Sequence, residues 1–385
     1  MKTVTILGST GSIGQNTLEV IRHLPRKFKV YGLSTNTNIE ILYKQINEFS
    51  PEVVGVNDIN QAKRLEKKLK NKIKVFAGQE GIEELAQKKV GILVMAISGS
   101  SALLPLMKAI DKQKNIALAN KESLVMAGPL IIKKAKEKNT KIIPVDSEQS
   151  AIWQCLEGKD INTLKKIYLT ASGGPLREVS KKEFKNISLN KVLNHPCWKM
   201  GKKVTVDSAT LMNKGLELFE TMYLFDVEIS QIDILIHPEA IIHSMVEFID
   251  GTILAQMSVT DMRIPIQYAL SYPQKFECFL RPLDFFKIKR LSFLKPDFNK
   301  FPCLALAYEA AKVKGTLPVV LNTSNEMVVE AFLEKRIDFL SIPKIIEKVM
   351  SLHKNIKNPT LKDILAVHFW TKNETKRLIN KIRYV

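Results

Sequence analysis

The stretch Val4-Thr5-Ile6-Leu7-Gly8-Ser9-Thr10-Gly11-Ser12-Ile13-Gly14 decides how the N-terminal part of this chain folds. It starts with an apolar, partly β-branched run typical of a buried strand, and a helical pattern continues from Gly14 to His23. Gly8 permits a tight turn, Gly11 lets the backbone approach a bound anion, and Gly14 allows the helix to pack on the strand. Because the first N–H groups of a helix attract anions, the stretch predicts a dinucleotide-binding turn rather than a plain loop.

The loop after the second predicted strand bears on which dinucleotide would bind. A site selective for NAD carries an Asp or Glu about 20 residues beyond the glycines, where the acid binds the ribose 2′-hydroxyl. Here that place reads Leu33-Ser34-Thr35-Asn36-Thr37-Asn38, with neither an acid nor a Lys or Arg. The missing carboxylate favours NADP, with neutral hydrogen-bond donors around its 2′-phosphate.

The alternation of strand and helix continues to about residue 146. The β-branched runs are Val4 to Leu7, Lys29 to Ser34, Val53 to Val56, Ile73 to Ala77, Ile92 to Ala96, Ile116 to Ala119 and Ile142 to Val145. Longer helical patterns separate them, as crossovers between parallel strands require. We therefore predict an α/β protein whose residues 1–146 form a Rossmann-like doubly wound domain, with the strand ends on one ligand-binding edge.

Beyond residue 146 the pattern changes to mixed strands and helices, which indicates a central α+β catalytic domain over residues 147–271. Its predicted strands are Ile167 to Thr170, Lys203 to Val206, Ile232 to Ile236 and Thr252 to Val259. Residues 272–303 combine prolines with aromatic side chains, which predicts a packed linker. Residues 304–385 form a predicted C-terminal helical domain, with helical spacing in Leu304 to Lys314, Ser324 to Glu334, Ile342 to Leu352 and Asn373 to Ile382.

The composition is that of a folded globular protein: 45% of the 385 residues are hydrophobic and 25% are charged. The 58 basic and 39 acidic residues give a net charge of +19, which raises nucleic acid, a membrane surface or a phosphorylated substrate as partners. The lysines alternate with Glu, Asn and Ile, and no basic stripe is interleaved with aromatic residues, so we expect no nucleic-acid partner. No run approaches the about 20 apolar residues that cross a bilayer, so we expect no membrane partner.

The number and spacing of the cysteines indicate the cellular compartment of the protein. Cys155, Cys197, Cys278 and Cys303 are far apart in sequence and form no CxxC pair, so disulfides and a structural zinc are not expected. The opening residues lack the apolar core of a secretion signal and the composition of a transit peptide. We expect a cytoplasmic protein.

Acidic residues follow two predicted strands at the ligand-binding edge. Asn120-Lys121-Glu122 comes after one strand and Asp146-Ser147-Glu148 after another. On an extended segment, Asp146 and Glu148 would point to the same side, and such paired carboxylates suit Mg²⁺ or Mn²⁺. A solvated loop is the alternative.

A second acidic segment reads Asp207-Ser208-Ala209-Thr210-Leu211-Met212-Asn213-Lys214-Gly215-Leu216-Glu217. Asp207 or Ser208 would cap a helix that carries Asn213, Lys214 and Glu217 along one face. Lys214 would then bind a phosphate, and Glu217 would give the metal a third carboxylate. The alternative is a surface helix with salt bridges.

Two further segments are candidates for ligand contacts. Thr170-Ala171-Ser172-Gly173-Gly174-Pro175 follows a predicted strand and reads as a second phosphate loop or as an ordinary turn. The segment from Asn194 to Gly201 has no helical or strand periodicity, which favours a mobile loop that lays Trp198 over a ligand. Its His195 is a catalytic candidate or a hydrogen-bonded structural residue.

The segments GSTGSIG, ANKESLV, VDSE, SGGP, HPCWKMG, VDSATLMNKGLE and LIHPEAIIHSMV, in this order, resemble the 1-deoxy-D-xylulose 5-phosphate reductoisomerase family. The resemblance covers nearly the whole chain. It implies an NADPH-dependent homodimeric enzyme of the methylerythritol phosphate route to isoprenoids that needs Mg²⁺, Mn²⁺ or Co²⁺. Its substrate would be the sugar phosphate 1-deoxy-D-xylulose 5-phosphate, and its product 2-C-methyl-D-erythritol 4-phosphate. The central domain would carry a flap and the dimer-forming sheet.

The resemblance also implies roles for individual residues. The metal would lie on Asp146, Glu148 and Glu217. The substrate phosphate would contact Ser172, Ser208, Asn213 and Lys214, with His195 nearby. Lys121 and Ser147 would face the reacting part of the sugar, and Trp198 would be the flap residue. The cofactor contacts that it implies are Thr10, Gly11, Ser12, Ile13 and Asn120, with Glu122 beside them. The other predicted cofactor-binding residues are Gly8, Asn36, Thr37, Asn38 and Gly201. Relatives commonly carry a basic residue before Asn38, where this chain has Thr37.

Lys121, Asp146, Glu148, His195 and Glu217 are the predicted catalytic residues. The family's reaction rearranges the carbon skeleton of the ketose to an aldehyde, which NADPH then reduces; we favour a retro-aldol and aldol sequence over a direct 1,2-shift. Two other hypotheses share the glycine turn. Another NAD(P)-dependent dehydrogenase for a small phosphorylated or anionic substrate would need no metal. A non-catalytic nucleotide-binding regulator would need none of the charged residues.

Overall fold

The computed structural model describes residues 1–382, which pack as two compact units. The first unit is built from Met1–Ser123, Ile131–Ser150 and Asp261–Arg281. The second unit is built from Leu124–Leu130, Ala151–Thr260 and the chain from Pro282 onward. The predicted division of the chain at residues 146, 271 and 303 stays a prediction.

A parallel seven-stranded sheet forms the centre of the first unit, in the order β4-β3-β2-β1-β5-β6-β7. Its strands are β1 Lys2–Leu7, β2 Phe28–Thr35, β3 Val53–Val56, β4 Lys74–Ala77, β5 Ile92–Met95, β6 Asn115–Leu118 and β7 Lys141–Pro144. The order reverses between β1 and β5, and at such a point the carboxyl ends of the strands open a crevice for ligands. The predicted Rossmann-like doubly wound fold is confirmed.

Helices cover this sheet because each crossover between parallel strands needs one. The crossover helices are α1 Ser12–His23, α2 Ile39–Phe49, α3 Ile59–Leu69, α4 Gly78–Ala86, α5 Leu103–Ile110 and α6 Lys121–Lys138, and α7 Ser147–Leu156 follows the last strand. The core between sheet and helices is apolar: Val4, Ile6 and Leu33 are fully buried in it. Burial of such side chains contributes roughly 25 cal/mol per Å² of apolar surface.

The second unit contains a four-stranded mixed sheet in the order β11-β10-β8-β9. The strands are β8 Leu164–Ala171, β9 Ile232–Ile236, β10 Ile242–Phe248 and β11 Ile253–Met257. The helices that follow β7 and α7 in the chain are α8 Leu189–Leu193, α9 Lys202–Ala209, α10 Met212–Phe225, α11 Arg263–Ser271, α12 Pro302–Val313, α13 Leu317–Leu333, α14 Ser341–Leu352 and α15 Leu361–Ile382. Of these, α11 belongs to the first unit. The predicted α+β and helical segments are therefore present.

The prediction of a strand from Lys203 to Val206 was wrong, because these residues lie in α9. Val204, Thr205 and Val206 favour strands in isolation. The helix is fixed instead by Lys203, which pairs with Asp207 one turn later, and by Thr205, whose hydroxyl donates to the carbonyl of Gly201 at 3.0 Å. Strand β10 was not predicted, although its burial alternates over much of its length.

Between residues 1 and 382 no helix combines the length and the apolarity that crossing a membrane requires.

Candidate active site

The glycine turn after β1 is shaped by close backbone contacts. Gly8 has a φ of +90°, and a Cβ there would lie 2.5 Å from the carbonyl oxygen of Ala96. A Cβ on Gly14 would overlap the backbone of Gly8 and Ser9. Gly11 precedes α1 without a side-chain cap, and a Cβ there would meet only ordinary contact, 3.5 Å from the Gly8 oxygen. The fold therefore requires glycine at 8 and 14, whereas only a ligand would require it at 11.

Three buried polar side chains hold this turn in place. The Ser34 hydroxyl accepts from the N–H of Gly8 at 3.0 Å. The Ser9 hydroxyl donates to Gln45 at 2.7 Å, and the Gln45 amide donates back to the Ser9 carbonyl at 2.9 Å. Ser9, Ser34 and Gln45 are all buried. The sequence signal for this network is Gln45, a polar residue within the apolar helical pattern of α2.

A cavity of about 300 Å³ opens at the carboxyl ends of β1, β2 and β5. Its lining includes the predicted residues Gly8, Thr10, Gly11 and Asn36, and also Asn57, whose amide donates to Asn36 at 3.0 Å. None of the described residues that line this cavity is charged.

Two other predicted cofactor residues lie near this edge but not in the lining. Thr37 and Asn38 are exposed, and Asn38 caps α2 by accepting from the N–H of Ile41 at 3.1 Å. The side chain of Thr37 therefore has room for substitution without disturbing the fold.

Asn120 shapes one wall of the cavity. Its side-chain oxygen caps α6 by accepting from the N–H of Ser123 at 2.8 Å. Its amide nitrogen lies 2.9 Å from the carbonyls of Ile97 and Gly99 and 3.0 Å from Glu122. Ile97 lines the cavity, so this buried asparagine fixes the loop after β5.

The first acidic cluster lies where β7 leads into α7. Asp146 forms an ion pair with the buried ammonium group of Lys121. The N–H of Ser147 donates to Asp146 at 3.0 Å, and its hydroxyl donates to Glu148 at 2.5 Å. Glu148 lies in the first turn of α7, so the prediction that Asp146 and Glu148 share an extended segment was wrong. Asp146 directly precedes this helix and accepts from its first N–H group, and the positive end of the helix dipole favours both carboxylates.

The second acidic cluster lies on α10. The Asn213 amide donates to Glu217 at 2.5 Å, and Lys214 forms an ion pair with the same carboxylate, which is fully buried. The helix begins at Met212 after Leu211, which has a φ of +59°, so the predicted cap at Asp207 or Ser208 was wrong. The helix packs inside the unit and is not a surface helix.

Gly215 lies among these residues for a packing reason. A Cβ there would lie 2.5 Å from the Cβ of Ala307. The glycine thus allows α10 and α12 to approach closely.

Hydroxyl and imidazole groups meet after β8. The Nε2 atom of His195 lies 3.1 Å from the hydroxyls of both Ser172 and Ser208. Its Nδ1 atom accepts from the N–H groups of Cys197 at 3.2 Å and Trp198 at 2.9 Å. An acceptor at Nδ1 places the imidazole proton on Nε2, which then donates to a serine oxygen. Burial lowers the pKa of His195 to about 4.

The segment from Asn194 to Met200 contains no helix or strand. The Trp198 ring packs edge-on against His243, with 6.0 Å between ring centroids. Gly201 is exposed before α9, and a Cβ there would meet no atom within 4 Å. Its predicted cofactor contact stays a prediction.

We expect Gly11→Ala to leave the free energy of unfolding nearly unchanged and to weaken dinucleotide binding at least tenfold, because only a bound ligand meets the added methyl group. Gly14→Ala should instead destabilise the protein by about 1–3 kcal/mol, since the methyl group overlaps backbone. Denaturant unfolding and titration calorimetry with NADPH would separate the two effects. Equal losses of stability in both variants would contradict this assignment.

We expect NMR of the imidazole nitrogens to show His195 as the Nε2-protonated tautomer with a pKa near 4. Because this folded-state pKa lies below the value of about 6.5 in an unfolded chain, the stability linked to it is complete above pH 6.5 and is lost as the pH falls toward 4. His195→Gln would identify the signals. A midpoint at or above 6 would disprove the arrangement.

The chain is similar to known proteins over nearly its whole length. Sequence profiles described as 1-deoxy-D-xylulose 5-phosphate reductoisomerase match residues 4–128, and profiles of its C-terminal domains match residues 142–225 and 257–374. The 1-deoxy-D-xylulose 5-phosphate reductoisomerase of Thermodesulfovibrio yellowstonii is 50% identical over 99% of this chain and 100% of its own. That of Thermoanaerobacter pseudethanolicus is 49% identical over 95% of this chain and 96% of its own.

Solved structures agree with these relatives. A DOX-P reductoisomerase in complex with NADPH, fosmidomycin and magnesium has a TM-score of 0.93 and 37% identity, covering 100% of this chain and 99% of that one. The reductoisomerase of Zymomonas mobilis in complex with NADPH has a TM-score of 0.91 and 38% identity over 98% of this chain and 99% of its own. This chain belongs to the 1-deoxy-D-xylulose 5-phosphate reductoisomerase family.

Proposed function

We propose that this protein converts 1-deoxy-D-xylulose 5-phosphate into 2-C-methyl-D-erythritol 4-phosphate, using NADPH and a divalent cation, in the non-mevalonate route to isoprenoids. The observation that carries the proposal is full-length similarity to reductoisomerases, about half the residues being identical to those of several relatives. The predicted site residues of this chain also carry the groups that the reaction needs.

NADPH would lie in the cavity beside the glycine turn. The N–H groups at the start of α1 would bind its pyrophosphate, and Gly11 leaves room for the backbone to approach it. Asn36 and Thr37 would donate to the 2′-phosphate. A relative of similar fold is described in complex with NADPH.

The divalent cation would be held by Asp146, Glu148 and Glu217. Carboxylate oxygens are the ligands that Mg²⁺ and Mn²⁺ prefer. Asp146 and Glu217 each have a lysine as partner, so both positions already accommodate a cation. When bound, the metal would polarise the ketone and stabilise the negative charge of an enediolate.

The protein's own side chains would bind and orient the sugar phosphate. Ser172, Ser208, Asn213 and Lys214 would hold the phosphate, and the Nε2 proton of His195 would orient the serine hydroxyls. Lys121 and Ser147 lie beside Asp146, where they would hydrogen bond to the reacting oxygens. Closure of the segment around Trp198 would exclude water from the aldehyde. A retro-aldol step breaks one C–C bond of the ketose, and the aldol step forms a new bond between a different pair of carbons to give the branched aldehyde, which hydride from NADPH and one proton then reduce.

We also propose a homodimer formed through the four-stranded sheet of the second unit. Strand β11 is an edge strand on which Ile253 is 50% exposed and Leu254 is 37% exposed. Exposed apolar edge strands invite pairing with another chain, and most dimers pair identical surfaces. The proposed location is the cytoplasm, which fits the free thiols of all four cysteines.

We expect NADPH oxidation to require both 1-deoxy-D-xylulose 5-phosphate and Mn²⁺ or Mg²⁺. Glu217→Gln should lower metal-dependent turnover at least about 100-fold, because loss of a ligand removes several kcal/mol of charge stabilisation, and should leave NADPH affinity unchanged. Asp233→Asn is the matched control, since Asp233 on β9 also pairs with a lysine, Lys166 on β8, at 2.8 Å. Metal-independent turnover of another substrate would favour a different dehydrogenase. Full activity in Glu217→Gln would remove Glu217 from the metal site.

We expect Thr37→Arg to raise the ratio of kcat/KM for NADPH over NADH about three- to tenfold, because an exposed guanidinium attracts the 2′-phosphate through solvent. Thr37→Glu should lower the same ratio by repulsion. Both variants should fold normally, since Thr37 is exposed. Ratios that do not respond to the sign of the new charge would place the 2′-phosphate elsewhere.

A further inference from the structure

Asp207 is a buried acid that the proposed reaction does not use. It lies inside α9 with only 1% of its side chain exposed. Its Oδ2 atom pairs with Lys203 at 2.8 Å, and its Oδ1 atom accepts from the side-chain amide of Asn325 at 2.8 Å. A buried carboxylate is costly unless it is paired and hydrogen bonded, so the ion pair with Lys203 and the hydrogen bond from Asn325 indicate a specific arrangement.

Asn325 is equally unusual for its position. It lies in the middle of α13 and is fully buried. Its contact with Asp207 joins two helices that are 118 residues apart in sequence. Hydrogen bonds to an ionised group are short and about twice as strong as neutral ones. The pair therefore fixes how α9 is rotated about its own axis relative to α13.

The rotation of α9 matters because the next residue is Ser208. Neighbouring residues on a helix point about 100° apart, so Asp207 faces α13 while Ser208 faces His195. The Ser208 hydroxyl lies 3.1 Å from His195 Nε2. On its other side Gly174 packs against the Ser208 carbonyl so closely that a side chain there would overlap it. Only a narrow range of α9 orientations keeps both contacts.

Lys203 extends this arrangement toward the segment that carries Trp198. It is the second residue of α9, two residues after Gly201, and it is held by the same carboxylate. Asp207 thus fixes both the helix that bears Ser208 and the point where the preceding segment joins that helix.

We propose that Asp207, together with Asn325, is a positioning residue for the phosphate group of the substrate, acting through the orientation of Ser208. This inference rests on the proposed function, since it assumes that Ser208 binds the phosphate. Asp207 itself touches neither substrate nor cofactor.

The first test is Asp207→Asn, which keeps the shape of the side chain and removes its charge. We expect KM for 1-deoxy-D-xylulose 5-phosphate to rise about tenfold, because the Lys203 ion pair is lost and the hydrogen bond from Asn325 loses its charged acceptor, while KM for NADPH changes less than twofold. The matched control is Thr323→Val on the same helix α13, where Thr323 bonds the His368 ring at 2.8 Å. This control should lower the melting temperature without changing either KM.

The second test is a double-mutant cycle across the contact. Asn325→Asp places two carboxylates face to face and should raise KM for the sugar phosphate more than Asp207→Asn does. The variant Asp207→Asn/Asn325→Asp restores one donor and one acceptor, so it should recover most of that loss. If Asp207→Asn does not fold, Asn325→Ala removes the contact, keeps the Lys203 pair and should raise KM about threefold.

The outcomes separate this inference from the proposed function. Wild-type protein that fails to turn over 1-deoxy-D-xylulose 5-phosphate would refute the proposed function. Active wild-type protein with an unchanged sugar-phosphate KM in the folded variants would overturn the positioning role alone. A rise in the sugar-phosphate KM that Thr323→Val reproduces would also overturn the positioning role. The same holds if the KM of Asp207→Asn/Asn325→Asp stays as high as that of Asn325→Asp.

Discussion

The structure depends on pairing three buried or half-buried acids, Asp146, Asp207 and Glu217, each with a lysine. Asp146 pairs with Lys121, Asp207 with Lys203 and Glu217 with Lys214. Removing a carboxylate from water costs several kcal/mol, and a nearby ammonium group recovers this only when the geometry is good. The two pairs within helices have spacings of four and three residues, which place the partners on one helix face. Charge is thus brought into the protein interior already balanced.

A second constraint acts through backbone groups. The N–H groups of Cys197 and Trp198 both point at one nitrogen of His195, which decides where the proton of its ring lies. That proton is then available to two serine hydroxyls on the other side. Burial disfavours the charged imidazolium, so the ring keeps one donor and one acceptor across the neutral pH range. The arrangement therefore holds two hydroxyl groups and one imidazole ring in place without adding a charged group.

Much of the fold was predictable because its signals are local. The β-branched runs of the first sheet and the glycine turn fix strand and helix within a few residues, and the seven strands were found to within one or two residues. The segment from Lys203 to Val206 was misjudged because its local preference for a strand is overridden by the ion pair and by burial against α13. Strand β10 was missed because its segment was noted only as one of the motifs that carry the family resemblance.

The site was predictable in part for the same reason. Residues close in sequence, such as Asn213, Lys214 and Glu217, were placed on one face correctly, because helix geometry alone determines it. Gln45, Asn325 and His243 were not found, because their partners Ser9, Asp207 and Trp198 are far away in the chain. No spacing rule connects such pairs. Only the unusual placement of a polar side chain among apolar neighbours hints at them.

The neutral lining of the cavity beside the glycine turn has a physical consequence of its own. The attraction that the dipoles of amides, hydroxyls and a helix end exert on an anion falls off steeply with distance. Dissolved ions weaken this short-range attraction far less than the attraction between full charges at the surface. Retention of the dinucleotide should therefore be nearly insensitive to ionic strength. Capture of a doubly charged sugar phosphate through Lys214, as proposed above, should decline as salt is added.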